Sequence, residues 1–225
     1  MKRSTSLSKS YFIIGTIITI YGVVLSNLMT IIPSDINTPV PVDLTSSFPL
    51  LSIALLSLAS VLFALPVIML YVYDKNNGVL EYLLSTGLDQ LDVFKGYVKA
   101  SLVLATYLLV FAITLNTVVG ILLGTSLVLL ATIAILTFAI GISEVFLVSV
   151  CMIAFSSLQK TPMGANQPLG IIVGIIPMFP ALLLPLAFPT YAVFVDLTIA
   201  AITLIASLAL LISSSRIILR EKLLP

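Results

Sequence analysis

The sequence predicts an all-α polytopic membrane protein with six transmembrane helices, and three observations carry that prediction. The 225 residues are 60% hydrophobic and 8% charged, with a mean hydropathy of +1.26. A water-soluble domain has no use for that much apolar surface, whereas a chain solvated by lipid requires it. The apolar residues gather into six runs, each near or above the about 20 residues a helix needs to cross a bilayer core. Finally, all ten Lys and Arg residues fall in alternate intervals between those runs, which is how a membrane chain records its orientation.

The spans are expected at about 11–32, 50–73, 100–123, 127–155, 169–187 and 192–213, forming a single transmembrane domain over 1–225. The first follows Met1-Lys2-Arg3 and a Ser-rich head that is either a short interfacial helix or a frayed tail. Its run is too long for a signal-peptide core and no small-x-small site closes it, so a retained span is expected. The interval 33–49 holds four prolines, Asp35 and Asp43, and reads as a turn-rich loop. Ser46 or Ser47 is the expected N-cap of a second helix entered at Pro49. Pro66 lies inside that helix and should kink it, because it supplies no backbone N–H. Gly124 marks the turn between the third and fourth spans. The fifth carries Pro177 and Pro180, with Pro185 and Pro189 at its outer end, and is expected to be kinked or re-entrant.

With the N-terminus in the cytoplasm, the cytoplasmic segments hold Lys2, Arg3 and Lys9; Lys75, Lys95 and Lys99; Lys160; and Arg216, Arg220 and Lys222. The external segments hold none. Lys and Arg resist transfer across the membrane, so this split predicts both termini inside.

Several classes of chemistry lack their residues. The chain has no His and one Cys, Cys151, which removes a disulfide framework, a Cys/His zinc site and a His-based triad. No cluster of nucleophile, base and metal ligands appears, so neither an enzyme nor a metal site is predicted. A net charge of +1, spread along the chain, forms no basic face for nucleic acid.

The long polar interval, 74–99, reads as two short helices separated by a turn. Gly78 opens the first, and Val79, Leu80, Tyr82, Leu83 and Leu84 make an apolar stripe at helical spacing with Glu81 facing away. Ser85-Thr86-Gly87 ends it, Gly87 suiting a left-handed position after the helix. Asp89 can cap the second helix, with Asp92 three residues on in a capping-box relation. That helix passes through Val93, Phe94 and Tyr97 into the third span.

The run Gly78-Val79-Leu80-Glu81-Tyr82-Leu83-Leu84-Ser85-Thr86, followed by Lys95-Gly96, resembles the coupling-helix signature of type-2 ATP-binding-cassette (ABC) exporter permeases. That family typically reads G-T-L-E-x-L-L-x-[ST]-P. Here Gly87 stands at the Pro position, Val79 where Thr is common, and Lys95-Gly96 reverses the usual Gly-Lys order. The six-span layout, the polar loop after span two and the proline-broken fifth span extend the resemblance along the chain. It implies a transmembrane permease subunit of the cell membrane, paired with an identical or homologous second permease subunit and driven by a cytoplasmic ABC ATPase. It also implies that residues 78–86 form the ATPase-coupling helix. The chain has no G-x-x-x-x-G-K-[ST] phosphate loop, so ATP and Mg belong to the partner ATPase and no cofactor is expected here.

Two rival readings stand beside it: a proton-coupled secondary transporter using Glu144, and a non-transporting membrane scaffold. Glu144 is the one acidic residue deep in a span. A carboxylate at a helix centre costs about 2.5–3.5 kcal/mol on insertion scales. It is therefore either protonated and hydrogen-bonded, or part of a wet substrate path. Thr137, Gly141, Val148 and Cys151 share its face and suit close packing. Asp196, near the outer end of span six, reads as an interfacial anchor. Gly120–Gly124 and Gly170–Gly174 fit the small-xxx-small spacing that lets helices approach.

Overall fold

The computed structural model describes residues 12–24, 27, 42–156, 183–184 and 191–220. Among these the secondary structure is helical and no strand occurs. Six helices run in chain order: α1 (Phe12–Val24), α2 (Val42–Asn76), α3 (Val79–Ser85), α4 (Gln90–Leu122), α5 (Leu127–Ser156) and α6 (Ala192–Arg220). Four contain stretches long and apolar enough to cross a membrane: Ile53–Lys75, Leu91–Leu122, Leu127–Cys151 and Val193–Ser213. The chain is a helical membrane protein. The expected fifth span, its prolines, Lys160, the Gly170–Gly174 pair and the Ser-rich head lie outside the described residues, apart from 183–184 in that span.

α5 is the axis of the bundle. It packs against α2, α4 and α6, and 67% of its apolar window is buried, against 22% for that of α6. Sequence composition explains the position. α5 combines Leu, Ile and Val with small Gly, Ser, Thr and Ala residues, so neighbours can approach on several sides. One apolar cluster joins Ile53 of α2, Ile133, Leu136 and Ile140 of α5, and Ala200 of α6. A second joins Val61, Ala64, Leu65 and Ile68 of α2 to Ala105 of α4 and to Val145 and Val148 of α5.

Hydroxyls inside such a bundle must find partners, because lipid offers none. Most return to a carbonyl one turn back, as Ser57 Oγ does to Ala54 (2.9 Å) and Ser207 Oγ to Thr203 (2.6 Å). Others tie helices together. Thr203 Oγ1 donates to Ser143 Oγ at 2.8 Å, joining α6 to α5, and Ser101 Oγ and Ser149 Oγ share a hydrogen at 2.7 Å, joining α4 to α5. Asn27, just beyond α1, donates to Asn116 Oδ1 of α4 at 3.0 Å. α1 meets α2 through Gly15 and Gly22, whose missing Cβ atoms leave room for Phe63 and for Leu55 and Leu56.

The α4–α5 hairpin shows how local sequence sets a turn. Gly124 takes φ +78°; its N–H reaches the Ile121 carbonyl (3.1 Å), and the Thr125 N–H reaches that of Gly120 (2.9 Å). These two bonds make a Schellman closure of α4. Ser126 then caps α5, its Oγ accepting from the Leu129 N–H at 3.3 Å. Gly120 serves the interface instead: a Cβ there would lie 2.5 Å from a Leu130 methyl. The expected Gly120–Gly124 contact pair therefore divides into one packing glycine and one turn glycine.

Two local expectations change. α2 already begins at Val42, so Ser46, Ser47 and Pro49 lie inside the helix, and neither serine is its N-cap. The second half of the 33–49 interval, from 42 onward, is thus helical. α2 runs through Pro66 as one uninterrupted helical segment.

Candidate functional site

The polar interval folds as a short helix slung between two long ones. α2 ends at Asn76 and α4 begins at Gln90, and α3 lies between them. Both reversals depend on glycine: Gly78 has φ +73° and Gly87 φ +87°, conformations that cost residues with a Cβ about 1–2 kcal/mol. The Tyr82 N–H donates to the Gly78 carbonyl at 3.0 Å, opening α3. At its end the Gly87 N–H reaches Leu84 (3.1 Å), and Ser85 Oγ and Thr86 Oγ1 donate to Tyr82 and Leu83 (2.7 and 2.6 Å). Asp89 occupies the N-cap position of α4, as its sequence suggests, but its side chain makes no capping bond. Its carbonyl does the work, accepting from the Asp92 and Val93 N–H groups at 3.0 and 3.1 Å.

α3 is two-sided. Leu80 is 6% exposed, with Leu83 and Leu84 half-buried beside it. Val79 is 39% and Tyr82 68% exposed, and Glu81, Ser85 and Thr86 face outward with them. The expected single apolar stripe therefore splits, because 100° per residue puts 80, 83 and 84 on one side and 79, 82 and 86 on the other. Leu80 sits in a cluster with Tyr71, Phe94, Val98 and Val150, against which Phe146, Leu210 and Leu211 also pack. The underside of α3 thus belongs to an apolar cluster that draws residues from α2, α4, α5 and α6. Outside it, Asp92, Lys95, Gly96 and Lys99 are exposed along the first turns of α4.

One contact was not legible in the pattern. The Tyr97 hydroxyl donates to Asp74 Oδ2 at 2.5 Å, and the Tyr97 ring meets Tyr71 edge-on, centroids 5.1 Å apart. Tyr71 precedes the polar interval and Tyr97 lies near its end, yet only the antiparallel return of α4 along α2 brings them together.

Glu144 occupies a different place. It lies in the interior of the bundle at 0% exposure, on a face shared with Thr137, Gly141, Val148 and Cys151, all buried as their spacing suggests. The Ser57 hydroxyl lies beside its carboxylate, but Ser57 donates its proton to Ala54. Among the described residues neither carboxylate oxygen of Glu144 has a hydrogen-bond partner. The packing here is tight: a Cβ on Gly141 would lie 2.8 Å from a Leu109 methyl and 3.2 Å from Ser60 Oγ.

Asp196 departs from its expected role as an interfacial anchor. It is 1% exposed, and its carboxylate oxygens have no partner among the described residues. It shares a buried side of α6 with Ile199, Ala200, Thr203 and Ser207, the side that reaches Ser143 of α5. Position near the end of a run suggested solvent; helical phase decided burial. Among the described residues no group of three or more metal-ligating side chains occurs. No family model, curated protein or solved structure matches this chain.

Proposed function

We propose that this chain is the transmembrane permease subunit of an ATP-driven ABC exporter, with six spans and both termini in the cytoplasm. In this reading it works as a homodimer or heterodimer in the cell membrane, and each copy binds a separate ATPase subunit. The observation that carries the reading is α3: a seven-residue helix between two long helices, anchored by Leu80 and offering Val79, Glu81, Tyr82, Ser85 and Thr86 outward. An exposed tyrosine and valine next to a carboxylate suit a protein partner, since aromatic anchors dominate such contacts. Closure of the ATPases on ATP would push α3, and the long helices would carry the displacement to the substrate path. ATP and Mg would be held by the partner.

The test is co-purification. Glu81→Arg combined with Tyr82→Ala is expected to weaken ATPase binding at least tenfold, the effect of losing a central aromatic anchor, while the permease remains folded. Undiminished co-purification and ATP turnover would sink the reading.

A second reading is kept because of one observation: Glu144 is fully buried without a hydrogen-bond partner among the described residues. Intramembrane carboxylates of this kind serve proton relays, so a proton-coupled secondary transporter is the alternative. It expects uptake or efflux in proteoliposomes driven by a pH gradient without ATP, and abolished by Glu144→Gln. Transport that needs ATP and survives Glu144→Gln would discard it.

A further inference from the structure

The stems that carry α3 are clamped to each other. Asp74 lies one turn beyond Tyr71 on α2, and Tyr97 of α4 meets both, its ring edge-on to Tyr71 and its hydroxyl on the Asp74 carboxylate. Tyr71 is 4% exposed, and Asp74 and Tyr97 are half-buried. A hydroxyl–carboxylate bond shielded in this way is stronger than a neutral one and fixes direction as well as distance. Each end of α3 joins its stem through a short turn containing a positive-φ glycine. Such turns transmit position poorly by themselves, so the spacing of the stems sets where α3 sits. Leu80 shares one apolar cluster with Tyr71, Phe94, Val98 and Val150 of α5, and Phe146 of α5 and Leu210 and Leu211 of α6 pack against that cluster.

We propose that Tyr97 and Asp74 form a positioning clamp that holds the two stems of α3 together, so that α3 stays seated on the apolar cluster it shares with α5 and α6. This rests on the reading of α3 as the ATPase contact. It changes the route: a displacement of α3 enters the bundle through its central helix and α6, as well as through the helices that flank it. Tyr97 is then a positioning residue. It touches neither partner nor substrate, and acts by keeping Leu80 seated.

The clamp is tested by three substitutions that keep the surrounding shape. Tyr97→Phe keeps the ring and loses the donor; Asp74→Ala loses the acceptor; Asp74→Asn keeps an acceptor oxygen. In lipid nanodiscs, spin labels at Ser85→Cys and Ser213→Cys, both exposed, in a Cys151→Ala background, report the distance from α3 to the near end of α6. Tyr97→Phe and Asp74→Ala are expected to broaden that distribution, the double variant no further than either alone, and Asp74→Asn to leave it narrow. In the complex with its ATPase, Tyr97→Phe should leave binding unchanged and lower ATP turnover about tenfold, the shift a single charge-assisted bond supplies, with Asp74→Asn close to wild type. Unchanged distances in Tyr97→Phe, or additive broadening in the double variant, would overturn the clamp. Turnover equal to wild type with broadened distances would overturn its role in coupling. If no ATPase binds the wild-type chain, the reading of α3 fails instead, and the nanodisc distances still judge the clamp.

Discussion

Leu80→Ala is expected to release α3 from the bundle while the long helices stay folded. A seven-residue helix has no stability of its own, because nucleation costs more than so few hydrogen bonds return. Docking of its underside must supply the difference, and Leu80 is the most deeply buried residue of that underside. Truncating a buried leucine costs about 2–5 kcal/mol. Spent on a local element, the lower part of that range lowers the protection of the α3 amides about 30- to 700-fold. Hydrogen exchange in nanodiscs reads this directly. Tyr82→Ala, on the exposed side, should leave the same amides protected, and equal protection in both variants would show that α3 is held by something other than its apolar face. Under the proposed function, Leu80→Ala would also uncouple ATP turnover while sparing the outward contact residues.

The second large effect falls at Gly141, where α2, α4 and α5 meet. The first added carbon would lie 2.8 and 3.0 Å from the two methyls of Leu109 and 3.2 Å from Ser60 Oγ. Leu109 is itself fully buried, so its methyls have no free volume to move into, and Ser60 is held by its bond to Ser57 at 2.6 Å. Gly141→Val is therefore expected to destabilise the bundle by about 1–3 kcal/mol through overpacking, seen as a lower thermal midpoint in detergent. Gly96→Ala is the internal control: a Cβ there meets nothing within 4 Å, so the change should be neutral or slightly stabilising. A Gly141→Val midpoint equal to wild type would mean that the three helices separate more readily than their packing implies.

These two positions differ in how far the sequence announces them. Gly141 shares a face with Thr137, Glu144, Val148 and Cys151 by simple helical phase, so its burial was readable from spacing. Leu80 was readable as part of an apolar stripe, but its separation from Tyr82 was not, since both are large and apolar and only the placement of α3 on the bundle decides which one is covered. Asp196 was misplaced for a related reason. Distance from the end of an apolar run measures depth along the membrane normal, whereas burial depends on rotation about the helix axis toward α5. The N-cap expected at Ser46 or Ser47 failed because short-range capping signals compete with a helix that continues from Val42. The Tyr97–Asp74 bond spans 23 residues and no periodicity within one helix contains it.

What the sequence alone determined is the class of the molecule. Composition and the lengths of the apolar runs demand helices in lipid, because a backbone there must satisfy its own hydrogen bonds. Glycine at 78, 87 and 124 determined the turns, since only it takes positive φ without strain. Tertiary structure decided everything that depends on which helix lies beside which. It made α5 the axis, brought Leu80 of α3 into one cluster with Val150, closed the stems with Tyr97 and Asp74, and buried Glu144 and Asp196. In a chain whose spans are all apolar, hydrophobicity cannot rank one neighbour above another; small residues, paired hydroxyls and shape do so, and they act only once the helices meet.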